Sequence, residues 1–136
     1  MQPIAAASID MSRRNKSDAP RLRVRLMRGA ETAFGPGKAD LLEALRATGS
    51  LRGAARRMGL SYLRAWRLVD TMNASFLQPL VEATRGGVHG GGAVVTREGL
   101  RVLALYRAME AAGASAILPD WRKLLARLKP PRTKRT

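Results

Sequence analysis

Two glycine–serine breaks near the middle of the chain constrain the fold more than any other feature. Gly49-Ser50 and Gly59-Leu60-Ser61 bracket the segment Leu51–Met58. Glycine enters the left-handed conformation that ends a helix, and a following serine offers a side-chain oxygen to the next helix's free N–H groups. The pattern predicts a helix over Lys38–Thr48, with Leu41, Leu42 and Leu45 as its apolar stripe, ending at Gly49. Ser50 then caps a short helix over Leu51–Met58, and Ser61 caps a third that runs to about Ala74. The inward residues of the short helix are Ala54 and Ala55, small enough to let two helices cross closely.

Two helices joined by a tight glycine-centred turn make a helix-turn-helix pattern. Upstream, Leu22, Val24 and Leu26 alternate with arginines from Arg21, which predicts a half-buried strand over 21–28. Its arginines face solvent, where like charges resist edge-to-edge pairing, or alternatively nucleic acid; a solvated edge is the expectation. Gly29-Ala30-Glu31 turns the chain, Thr32-Ala33-Phe34 returns as a short strand, and Gly35-Pro36-Gly37 breaks it before the first helix. Downstream, two β-prone runs, Pro79–Arg85 and Ala93–Thr96, flank the glycine-dense loop Gly86–Gly92 and read as a hairpin. Thr96 caps a long helix from about Arg97 to Ala112, and Pro119 opens a last amphipathic helix, Asp120–Leu128, before a basic, proline-broken tail. The expected architecture is mainly α with a small β-wing, a winged helix-turn-helix. Residues 1–20 form a mobile arm, 21–113 the domain, and 114–136 a basic helix and tail.

The composition narrows the function. In 136 residues, 25 basic groups stand against 10 acidic ones, a formal net charge of +15, while 46% hydrophobic residues supply a core. Cysteine is absent and His89 is the sole histidine, so thiolate chemistry, Cys-based zinc sites and a plausible catalytic triad are excluded. With no assembled acid, base, nucleophile or metal set, an enzyme is not expected, and neither is a cofactor. The charge points to a polyanion. Aromatic residues are only 4%, too sparse for single-strand stacking, which leaves double-stranded DNA as the expected partner. No targeting or membrane-spanning segment is evident, so a cytoplasmic protein is expected.

The helix after Ser61 divides into faces. Ala65, Val69 and Met72 follow i, i+4, i+7 and pack inward, with Leu68 beside them. Tyr62, Leu63, Arg64, Trp66 and Arg67 lie around the other side. Tyr62, Arg64 and Arg67 are therefore candidates for DNA contact, an ordinary solvated helix face being the alternative for the two arginines, and Trp66 packs at the rim. Arg52 and Arg56 on the preceding helix are phosphate candidates. In the glycine loop, Arg85, Gly87 and His89 are candidates as well; its glycines either let backbone N–H groups approach a phosphate or serve only the turn. On the long helix, Leu100, Leu103, Tyr106 and Met109 give more apolar surface than one small domain uses, which predicts a homodimer contact; the alternative is a helix lying deep across its own core.

The stretch Thr48-Gly49-Ser50-Leu51-Arg52-Gly53-Ala54-Ala55-Arg56-Arg57-Met58-Gly59-Leu60-Ser61 resembles the helix-turn-helix opening of LysR-type and ModE-type bacterial regulators. A more specific likeness follows: Ser61-Tyr62, Ala65-Trp66, Val69-Asp70, Met72-Asn73, Gln78-Pro79-Leu80-Val81-Glu82, the Gly86-Gly87 and Gly90-Gly91-Gly92-Ala93 loop, and Thr96 with Gly99. Over about residues 21–110 the chain is similar to the N-terminal domain of the ModE family of molybdate-responsive transcription regulators. The resemblance implies a winged helix that dimerises through flanking helices and binds palindromic DNA, with Ser61, Tyr62, Arg64 and Arg67 on the recognition helix and Arg85 to Gly92 as the wing. One departure is large: members carry a C-terminal molybdate-binding region, and only 23 residues follow Gly113 here. The sensor is expected to be absent, which leaves three alternatives: the protein senses nothing, senses through a partner protein, or binds DNA constitutively. The reading is a dimeric, sequence-specific transcription regulator. The alternative is a nonspecific architectural DNA-binding or adaptor protein.

Overall fold

The computed structural model describes residues 20–84 and 92–132. Most of the expected N-terminal arm, the loop candidates Arg85, Gly87 and His89, and the end of the basic tail lie outside the described residues. The chain divides into two units, one of Arg23–Ala111 and one that joins the residues up to Leu22 with those from Ala112 onward.

The larger unit is a mainly-α winged helix. Its order is β1 (Leu26–Arg28), β2 (Glu31–Phe34), α1 (Pro36–Thr48), α2 (Leu51–Met58), α3 (Tyr62–Ser75), β3 (Val81–Thr84) and β4 (Gly92–Val95), followed by α4 (Arg97–Leu125), which continues into the second unit. The breaks fall where the glycines predict. Gly49 ends α1 at φ 74°, and Gly59 ends α2 at φ 68°, both left-handed. Ser50 Oγ accepts the N–H of Gly53 at 3.0 Å, and Ser61 Oγ accepts the N–H of Arg64 at 3.1 Å. Ala54 and Ala55 are buried, as are Ala65, Val69 and Met72.

Three expected element boundaries are corrected. Helix α1 begins at Pro36 rather than Lys38, because proline lacks an N–H that the first helical position does not need. The strand expected over 21–28 is only Leu26–Arg28. Residues 21–25 keep the alternation of exposed arginines and half-buried apolar residues, but the short partner β2 pairs no further than Leu26 with Phe34. The two C-terminal helices are one: α4 runs through Pro119 to Leu125.

The core joins the elements through aromatic rings. Phe34 of β2 meets Tyr106 of α4 edge-on at 5.0 Å and Phe76, just after α3, at 5.9 Å. The Tyr106 hydroxyl donates to the Val24 carbonyl at 2.6 Å, and burial pushes its pKa up. Leu103 and Tyr106 are 4% and 1% exposed. They belong to the unit's own core, which corrects their assignment to a dimer surface and agrees with the alternative of a helix lying across its own core: part of the wide apolar stripe seats the helix. Lys38 is also buried. Its ammonium donates to the carbonyls of Thr32 at 2.6 Å and Ala33 at 3.3 Å, and desolvation lowers its pKa despite Glu31 nearby.

The hairpin is locked to the end of α3. Asn73 Oδ1 accepts the N–H groups of Leu80 (2.8 Å) and Val81 (3.2 Å), while its Nδ2 donates to the Val81 carbonyl at 3.0 Å. Strands β3 and β4 pair antiparallel from Val81–Val95 to Thr84–Gly92. Thr96 donates to the Pro79 carbonyl at 2.7 Å and accepts the Gly99 N–H at 3.0 Å, so one hydroxyl caps α4 and ties it to the segment that leads into β3. Gly99 lies against the Leu80 backbone; an added Cβ would collide with the Leu80 carbonyl oxygen and come within 2.7 Å of Val95 Cγ1. Gly99→Ala is therefore expected to cost about 2 kcal/mol, in the range for overpacking. Denaturant unfolding checks this, and an unchanged midpoint would show that the backbone yields freely there.

Candidate nucleic-acid interface

Helix α3 owes its orientation to α2, a helix too short to stand alone and held by caps at both ends. At 3.6 residues per turn, the buried stripe Ala65, Val69 and Met72 turns Leu63 and Arg67 to the centre of the opposite face. Arg64 lies on one flank of that face, and Tyr62 and Trp66 on the other. Ser61, Tyr62, Arg64 and Arg67 are all exposed, so the structure brings together the four candidates of this helix. Leu63, Arg64, Arg67, Leu68 and Thr71 line a shallow depression with Ser61 at its end.

The second flank is built from both helices. Arg52, at the start of α2, places its guanidinium 5.5 Å from the centre of the Tyr62 ring, and Trp66 meets that ring edge-on at 6.2 Å. A cation over an aromatic face is held electrostatically by the ring quadrupole, worth about 0.5–1 kcal/mol at an exposed site. Arg52 is thereby positioned beside the N-terminus of α3. Trp66 is half-buried, at the rim as expected, with Tyr62 as its ring neighbour. Arg56 is exposed on the outer side of α2.

Charge is segregated on this unit. From Leu51 to Ser75 five arginines face a single carboxylate, Asp70. Three acidic groups are gathered elsewhere: Arg107 of α4 binds Asp40 at 3.0 Å, Glu43 at 3.0 Å and Glu110 at 2.7 Å, which holds its guanidinium firmly protonated. Among the described residues, Arg56, Arg64 and Arg67 have no ion pair. These exposed arginines, with Asp70 as the one carboxylate near them on α3, leave a net cationic surface open to a polyanion. Among the described residues no group of three His, Cys, Asp or Glu side chains could hold a metal, and no helix is long and apolar enough to cross a membrane.

Leu63 was not singled out by the sequence, yet it is 60% exposed in the middle of the arginine face. Its place opposite Ala65, Val69 and Met72 on the helical wheel is the signal that marks it. On α4, the expected dimer residues separate. Leu103 and Tyr106 turn inward, while Leu100 and Met109 stay exposed, and Leu105 at 61% exposure and Met109 at 45% form an outward apolar patch with Ala104 and Ala108.

The cap at Ser61 sets where α3 begins, and hence which residues lead the exposed face. Ser61→Ala is expected to lower stability by about 1 kcal/mol, whereas Ser61→Asp, which also accepts the Arg64 N–H, keeps most of it. Thermal melts of the two variants check this; equal melting of Ser61→Ala and the unsubstituted chain would remove the cap from the account.

No family model matches the chain. It is 44% identical over 92 residues to the molybdenum-pterin-binding protein MopA of Rhodobacter capsulatus, an alignment covering 68% of this chain and 35% of that protein. It is 43% identical over 86 residues to the molybdenum transport protein ModE of Azotobacter vinelandii, covering 63% and 32%. With the DNA-binding transcriptional dual regulator ModE of Escherichia coli it shares 41% identity over 71 residues, covering 52% and 27%. The chain spans about a third of the length of these relatives. Over about half to two thirds of its own length, it is thus homologous to proteins named as ModE-type regulators and molybdenum-pterin-binding proteins.

Proposed function

We propose that the chain is a non-enzymatic, sequence-specific regulator that binds double-stranded DNA through α3. The observation that carries this reading is the exposed arginine face of α3, whose Arg64 and Arg67 have no ion pair among the described residues, presented by a capped helix-turn-helix. Its similarity to proteins named as transcriptional regulators supports it. In this reading α3 enters the major groove N-terminus first. Free N–H groups of its first turn meet a phosphate, favoured by the helix dipole. Arg64 and Arg67 reach guanine edges or phosphates, and Leu63 packs on a thymine methyl group, the one apolar mark in the groove. Arg52, steadied by Tyr62, and Arg56 bind the backbone beside α2. The hairpin β3–β4, with Arg85, Gly87 and His89 in its loop, lies along the neighbouring backbone.

Two copies would pair through the outward patch of Leu105 and Met109, with Leu100 at its edge, and read an inverted repeat. Two-fold symmetry in the protein then appears as half-sites one helical turn apart, about 10–10.5 base pairs.

Selection from a random duplex pool at about physiological salt tests the reading, since affinity has no meaning without the salt concentration. An enriched inverted repeat is expected. Binding without enrichment would favour an architectural or adaptor role. Arg64→Ala with Arg67→Ala is expected to erase the sequence preference, each base-reading arginine contributing about 1–3 kcal/mol, while the protein melts as before. Retained protection of the same site by the double variant would displace α3 from its role. Leu105→Glu with Met109→Glu is expected to yield folded monomers in sedimentation equilibrium, and an unchanged mass would remove this patch as the contact.

A further inference from the structure

Arg23 and Arg25 lie outside the helix-turn-helix and the wing. They are exposed on extended chain, alternating with the half-buried Val24 and Leu26. A cleft of about 540 Å³ separates this segment from α3 and the start of α1. Arg23 and Arg25 line one side, and Leu68 and Thr71 of α3 line another. Leu68 and Thr71 also belong to the depression that holds Arg64 and Arg67. The two hollows therefore adjoin across the same two residues of α3, and their cations lie along one surface.

The other charges of the cleft do not cancel this pair. Lys38 turns its ammonium inward to the Thr32 and Ala33 carbonyls. Glu31 is the one carboxylate on the lining. Among the described residues neither Arg23 nor Arg25 has an ion pair.

A helix about 10–12 Å across fills a major groove about 12 Å wide, so a phosphate backbone runs along each of its flanks. On the Tyr62–Trp66 flank of α3, Arg52 stands ready for one backbone. On the opposite flank, Arg64 is followed by Leu68 and Thr71, and beyond them the cleft opens onto Arg23 and Arg25. We propose that Arg23 and Arg25 hold the phosphate backbone on that second flank, making the chain ahead of β1 part of the duplex interface. The assignment rests on the reading of α3 as the groove-entering helix. It replaces the expectation of a merely solvated edge, because the arginines border the α3 surface rather than standing apart from it.

The test is a salt titration of duplex binding by the full chain carrying Arg23→Gln and Arg25→Gln. The duplex is the sequence selected by the unsubstituted protein, with a scrambled duplex beside it. Loss of two phosphate contacts makes the slope of log affinity against log salt shallower by about 1.8. Both duplexes are expected to weaken by the same factor, with the base preference intact. Arg23→Lys with Arg25→Lys is expected to keep the original slope, because a phosphate needs only the charge. Should the double glutamine variant fail to fold, each single variant is expected to lose about half as much slope. An unchanged slope overturns the proposal, and so does a lysine variant that falls as far as the glutamine one. If Arg64→Ala with Arg67→Ala erases preference while the glutamine variant behaves as unsubstituted, this inference fails alone. If the unsubstituted chain binds no duplex, the groove reading fails with it.

Discussion

The presentation of α3 depends on how closely the short helix α2 can approach its neighbours. Its inward side chains are Leu51, Ala54 and Ala55, and the two alanines put only methyl groups between backbones. A larger residue at either position would push α2 outward, and α3 would follow, since the turn at Gly59 leaves little chain to absorb a shift. The caps at Ser50 and Ser61 then set the phase of each helix, so that Ala65, Val69 and Met72 turn inward and the arginines turn out. A hydroxyl at each helix start and a methyl at each crossing thus determine which surface faces solvent.

Electrostatics works with this packing. A chain of charge +15 repels itself, and that repulsion is relieved unevenly. Arg107 draws Asp40, Glu43 and Glu110 to the junction of α1 and α4, where they fasten the two helices. The arginines of α2 and α3 are left without carboxylate partners among the described residues. Such a surface is poor for stability and good for meeting an extended polyanion. The proposed duplex contact is the natural use of a face kept cationic while acids are used elsewhere.

Much of this was legible in the residues. Gly49, Ser50, Gly59 and Ser61 signal their roles through local chemistry: each needs only its own backbone conformation or a neighbour three residues on. The candidates Tyr62, Arg64 and Arg67 followed from helical periodicity and lie on the exposed side of α3, while Ser61, its N-cap, entered as a candidate through the family resemblance and is exposed as well. Periodicity gives the width of an apolar stripe but not what covers it. Leu103 and Tyr106 therefore read as surplus surface, when both are buried in the core and Tyr106 meets Phe34 and the Val24 carbonyl. Periodicity also puts Leu63 on the side opposite the core stripe, but an apolar side chain among arginines signals no contact until its 60% exposure is seen.

The sequence by itself determined the order of elements up to the start of α4, the helix boundaries at Gly49, Ser50, Gly59 and Ser61, and the segregation of basic from apolar faces on α3, because these depend on interactions within a few residues. Only the tertiary structure decided which residues from distant segments meet. Arg52 over Tyr62, Asn73 clamping Leu80 and Val81, Lys38 turned to the Thr32 carbonyl, and Arg23 and Arg25 bordering the α3 surface depend on the angles at which helices and strands pack. Those angles come from the sum of many small contacts across the core, and no local pattern encodes them.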